Sequence, residues 1–113
     1  MKVEREFYQY YVEFRVKSQE EYGKFLARFI SRICEKHPMV DYRISASSIL
    51  KVVMYFGSDK EIELKYMPPY AGDYNNTRVF LQISCKTEKL LKKCLDILKA
   101  TLVECGLTEG DEK

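Results

Sequence analysis

The side chains that could carry chemistry in this chain of 113 residues are few and poorly spaced for it. His37 is the single histidine, and so the one side chain whose ordinary charge change falls near neutrality. Cys34, Asp41, Ser45, Ser47 and Ser48 lie near it in sequence, yet no spacing among them matches a nucleophile, a base and a group that orients the base. A protonatable residue at the C-terminal end of a helix is favoured by the helix dipole without any catalytic role. Cys34, Cys85, Cys94 and Cys105 include no C-x-x-C pair and have one histidine to share, which argues against zinc. Cys94 and Cys105 fall on one helical segment about 16 Å apart along its axis, too far to bridge, so all four read as small buried thiols. The acidic pairs Glu20/Glu21 and Glu61/Glu63 fit helix capping and an exposed strand face. Glycine-rich phosphate loops, H-E-x-x-H and G-x-S-x-G are absent from the sequence. The expectation is a protein that is not an enzyme and uses no cofactor and no metal.

Lys86, Lys89, Lys92 and Lys93 gather around the start of a second helix, where an anion is already welcome. Glu88 and Asp96 dilute that patch, and lysine runs commonly serve solvation. A net charge of +2 is too small to imply a polyanionic partner by itself, so charge placement must make any such case.

What would position these groups is legible from periodicity. Tyr8, Tyr10, Val12, Phe14 and Val16 alternate with Glu13, Arg15 and Lys17, the signature of a half-buried strand with one wet side. Ser18 stands three residues before Glu21, the spacing of a capping box. Tyr22, Phe25, Leu26, Phe29, Ile30, Ile33 and Cys34 then form one helical stripe that ends before Pro38, with His37 in the last turn. Residues 42–57 read as extended, either as two strands that turn near Ser45 to Ser48 or as one long bent strand. The cluster Gly57-Ser58-Asp59-Lys60 is a turn, after which Ile62, Leu64 and Tyr66 alternate with charges until Pro68-Pro69. A loop from Met67 to about Asn76 leads to a strand in which Val79, Leu81, Ile83 and Cys85 share a face. Thr87 caps a final helix with the stripe Leu91, Cys94, Leu95, Leu98, Thr101, Leu102 and Cys105, and Gly106 closes it.

The order β-α-β-β-β-β-α predicts a two-layer α+β fold, an antiparallel sheet of about five strands with both helices across one face. One domain spans residues 1–106, followed by a short flexible tail at 107–113. This element order resembles one half of the saddle-shaped TATA-binding fold and, more loosely, the helix-grip folds in which a curved sheet wraps a C-terminal helix. The resemblance is one of architecture and implies no particular function. No stretch is apolar enough to span a bilayer, the longest uncharged run being Ile44 to Leu50. The opening Met-Lys-Val-Glu-Arg-Glu lacks the apolar core of a secretory signal, which points to the cytoplasm.

The face turned away from the helices then carries Phe7, Tyr11, Arg15, Arg43, Lys51, Tyr55, Arg78 and Phe80, with Gln9, Glu13, Val53, Glu61, Glu63, Lys65 and Gln82. Aromatics and arginine are enriched at the energetic centre of protein interfaces, and rings among cations also suit base stacking and phosphate neutralisation. Tyr70 and Tyr74, on the long loop around Ala71-Gly72-Asp73, could anchor a partner. The leading expectation is an interaction module that binds a protein partner or itself, as a homo-oligomer or a small subunit of an assembly, through the exposed sheet face or the first strand's edge. Nucleic-acid binding by the aromatic and basic face is the alternative, and an apolar small-ligand site between sheet and helix is a third possibility.

Overall fold

The computed structural model describes residues 7–46, 50–68 and 77–108. Seven elements follow the expected order: β1 (Tyr8–Val16), α1 (Gln19–Cys34), β2 (Met39–Ala46), β3 (Leu50–Phe56), β4 (Ile62–Tyr66), β5 (Thr77–Cys85) and α2 (Glu88–Glu104). The fold is α+β, one antiparallel sheet with two helices. Residues 42–57 resolve into two paired strands, with Ile44 opposite Val52 and Ala46 opposite Leu50.

Local chemistry sets the helix ends. Ser18 Oγ accepts the Glu21 amide at 3.0 Å, while the Glu21 carboxylate reaches one residue past the cap to the Lys17 amide at 2.7 Å. Helix α1 ends at Cys34, so His37 lies beyond the last turn, its amide donating to the Ile33 carbonyl. Thr87 Oγ1 accepts the Leu90 amide at the start of α2. At the other end Gly106 adopts φ 71°, and the Gly106 and Leu107 amides donate back to Val103 and Leu102. That is a Schellman closure, and its customary apolar contact explains why Leu107, expected in a flexible tail, is buried in the core. The remainder of that tail, from residue 109, lies outside the described residues.

The strand order is β1-β5-β4-β3-β2, so β2 to β5 form a meander and α1 carries the chain from one edge of the sheet to the other. The helices pack on each other and on β1 and β5. Phe14, Tyr22, Phe25 and Phe29 form an edge-to-face and stacked cluster, with Phe14 and Phe25 centroids 5.0 Å apart. The Tyr22 hydroxyl donates to the Met67 carbonyl. Arg32 ties the helices together, donating to Thr101 Oγ1 at 2.9 Å and to both oxygens of Glu104.

The two faces divide as the alternation predicts, but the helices do not cover the whole inner face. Along one register row, Val12, Leu81, Tyr66 and Val52 are 1%, 0%, 7% and 8% exposed, and the next residue, Ile44 on β2, is 61% exposed. The neighbouring row runs from Tyr10 through Ile83, Leu64 and Met54 to Tyr42, which is 57% exposed. A helix pair sits over a limited width of sheet, and here that width ends near β3. Cys85 and Cys94 meet beneath α2 with sulfurs 3.8 Å apart, and the neighbouring thiol together with burial pushes Cys85 well up.

Candidate interaction surface

The outer face assembles the residues expected there. Tyr11, Gln82, Lys65, Val53 and Arg43 form one row across all five strands, and Gln9, Ser84, Glu63, Tyr55 and Asp41 form another. Glu13 pairs with Phe80, Arg15 with Arg78 and Ser45 with Lys51 on the same face. Phe7 precedes β1 and is half-buried. Tyr70 and Tyr74 lie outside the described residues. Glu61 departs from this face, folding back under the Gly57 turn instead.

Much of the outer face is engaged with itself. The Tyr11 and Phe80 rings lie 5.5 Å apart, Arg78 reaches Glu13 at 3.3 Å, and Gln82 donates to Gln9 at 3.0 Å. Both Arg43 and Lys60 stand over the Tyr55 ring, 5.9 and 5.2 Å from its centroid. Partial desolvation, and then the Glu13 carboxylate, raise the Tyr11 phenol. Rings and cations spent on one another offer a ligand less than their composition suggests.

A second surface was not singled out by sequence. Tyr42 and Ile44 on β2 and Leu50 on β3, the last 42% exposed, lie on the helix-side face but stay largely open. Half-buried Met54 continues this apolar ledge toward the core. Strand β2 is also an edge strand. The Tyr42 amide donates to Asp41 Oδ1 at 2.8 Å, so it is turned to the open edge rather than to β3. Asp41 Oδ2 takes Lys60 Nζ at 3.1 Å, and these two bonds, Lys60 first, hold its carboxyl below the usual carboxylate range. The other edge strand differs, since Val12, Phe14 and Val16 of β1 are buried beneath the helices. The signal available in sequence was the alternation Val40-Asp41-Tyr42-Arg43-Ile44, which reads the same for a buried edge as for a bare one.

The remaining polar chemistry centres on the Gly57 turn. Glu61 accepts the Asp59 amide at 3.0 Å and meets His37 Nδ1 at 3.3 Å. Burial pushes the Glu61 carboxyl up, but the Asp59 amide, its own amide and His37 together outweigh it and lower it. His37 therefore faces Glu61, not Cys34, Asp41 or Ser45. A cleft of about 420 Å³ opens between the end of α1 and α2, floored by Ile33, Ile62, Leu90, Cys94 and Ile97. Lys86, Lys89 and Lys93 border an adjoining depression with Asp59 and Glu61, and Lys86 Nζ is spent on the Asp59 carbonyl. Lys92 is not among its walls. Among the described residues no three His, Cys, Asp or Glu side chains gather as a metal would require, and no helix is long and apolar enough to cross a membrane.

Comparison with known proteins finds no matching family model, no matching curated protein and no matching solved structure. The likeness to the TATA-binding and helix-grip folds thus stays one of element order.

Proposed function

We propose that this chain is a non-catalytic protein-interaction module that engages its partner through β2 and the apolar ledge beside it. The observation that carries the reading is the fall in burial along a single row, from Val52 at 8% exposed to Ile44 at 61%. An apolar side chain at the bare edge of a sheet combines unburied hydrocarbon with an open row of backbone donors and acceptors, the arrangement that pairs with another chain. On the first strand the corresponding side chains are already used by the fold, which moves the candidate edge from β1 to β2.

A photoreactive benzoylphenylalanine placed at Ile44, and separately at Tyr11, tests this in the native host. Irradiation is expected to give a covalent adduct of defined mass from position 44 and none from position 11. No adduct at 44, or equal adducts at both, overturns the reading.

Nucleic-acid binding is the second reading, favoured by one observation: Arg15 lies directly opposite Arg78 on the outer face, next to the Tyr11 and Phe80 rings, a grouping of cations and aromatics that suits phosphates and bases. It predicts binding to mixed oligonucleotides at about 50 mM salt that falls steeply as salt rises. No binding under that condition removes it.

A further inference from the structure

We infer that the partner at this surface is a second copy of the chain, joined β2 to β2 in antiparallel register about a two-fold axis at Tyr42. Each Asp41 then faces the partner's Arg43. This rests on the interaction-surface reading above and names its occupant.

Symmetry makes the register a small set of choices, and charge selects among them. Antiparallel pairing of a strand with its own copy puts one residue opposite itself and its neighbours opposite each other in reverse order. Centred on Tyr42, the axis sets Asp41 against the partner's Arg43 and Arg43 against the partner's Asp41, two opposite-charge pairs on the outer face. Centred one residue either way, it sets Asp41 against the partner's Asp41, or Arg43 against the partner's Arg43. Like charges directly opposite destabilise a sheet.

Hydrogen bonding agrees with the same axis. The Tyr42 amide points to the open edge and has found an acceptor in its own neighbour, Asp41 Oδ1. In the pair the partner's Tyr42 carbonyl takes that amide, which releases the carboxylate to turn toward the partner's Arg43. On the helix side, Tyr42 meets the partner's Tyr42, with Ile44 next along each strand. Tyr42 and Ile44 are both exposed in the single chain, so the axis brings two bare apolar stripes side by side. The irregularity between Met39 and Asp41 limits the pairing to about this length, because a bulge turns the strand away. The product is a continuous sheet through two copies, held by a short edge contact and hence of modest affinity.

The experiment is sedimentation equilibrium of the full chain at concentrations up to about 1 mM, the weak end of specific association. It uses the wild type, Asp41→Arg, Arg43→Asp, an equimolar mixture of these two variants, and Ile44→Lys, each first shown to melt cooperatively. The wild type is expected to dimerise. Each charge reversal alone should weaken the dimer about tenfold or more, since it places like charges together at two symmetric positions. The mixture should recover it, because an all-cationic edge then meets an all-anionic one. Recovery cannot come from repair of the Lys60 contact inside either chain.

A dimer that Ile44→Lys abolishes but neither reversal weakens refutes this register while the surface reading stands. A dimer that all three substitutions leave intact refutes both. A wild type that stays monomeric throughout refutes the second copy as occupant, and the cross-link from position 44 to a different protein then still upholds the surface.

Discussion

Truncating the row that crosses the sheet tests the claim on which the proposed surface depends, namely that the helix layer stops short of β2. Leu81 on β5 and Ile44 on β2 lie in that row with Tyr66 and Val52 between them, the first fully buried and the second 61% exposed. Leu81→Ala removes a side chain closed in on every side and should cost about 2–5 kcal/mol through lost transfer and an unfilled cavity. Ile44 has only about two-fifths of its surface removed from water. With roughly 1.5–3 kcal/mol for complete burial of such a side chain, Ile44→Ala should cost about 0.6–1.2 kcal/mol, plus a few tenths for lower strand propensity. The assay is urea unfolding at low micromolar protein, where association contributes least, with the slope required to stay constant across variants. At higher concentration the gap between the two variants should narrow, because Ile44 then also supports assembly. If Ile44→Ala costs as much as Leu81→Ala at low concentration, β2 is covered in the isolated chain and the bare ledge does not exist.

Three further outcomes follow from local geometry. Gly57→Ala should lower stability by about 1–3 kcal/mol in thermal or urea unfolding, since Gly57 sits at φ 91° and a methyl there would fall 2.0 Å from Glu61 Oε2. The carboxylate cannot step aside without releasing the Asp59 amide and His37, so Glu61→Gly in the same background should recover part of that loss. Because the folded chain lowers Glu61 from 4.5, its stabilisation is complete above that value and is lost as pH falls through the lower folded one. Glu61→Gln should accordingly flatten the acid limb of a stability-against-pH curve below about 4.5, and an unchanged limb would count against the bonds assigned to it. Leu107→Asp should destabilise by about 1–3 kcal/mol on chemical unfolding, as burying an unpaired polar group does, whereas Thr108→Asp should be near neutral because that side chain is exposed.

The alternation in β1 and β5 and the stripes of α1 and α2 carried the fold class, the element order and the assignment of Tyr11, Arg15, Arg43, Lys51, Tyr55, Arg78 and Phe80 to one face. These are local periodicities, and period alone decides which way a side chain points. The width of sheet under two helices is a different kind of quantity, set by how α1 and α2 lean on each other through Arg32, Thr101 and Glu104. Nothing in Tyr42 or Ile44 distinguishes them from Tyr66 or Val52 as residue types, so the bare ledge was invisible. Leu107 was missed for a related reason. Gly106 announces that a helix ends, but not that the next side chain folds back to seal the end.

The strand that begins the described chain is also the one that must wait. Tyr8 finds its place opposite Cys85, while β2 through β5 join each to its neighbour in sequence. As a nascent chain emerges, the meander can assemble from short-range contacts, yet the side of β5 that receives β1 has no occupant until the two distant ends meet. Such late, long-range closure slows folding more than it limits final stability. Until it happens, Leu81 and Ile83 stand at an unfinished margin, and that interval is when this protein is most exposed to meeting the wrong strand.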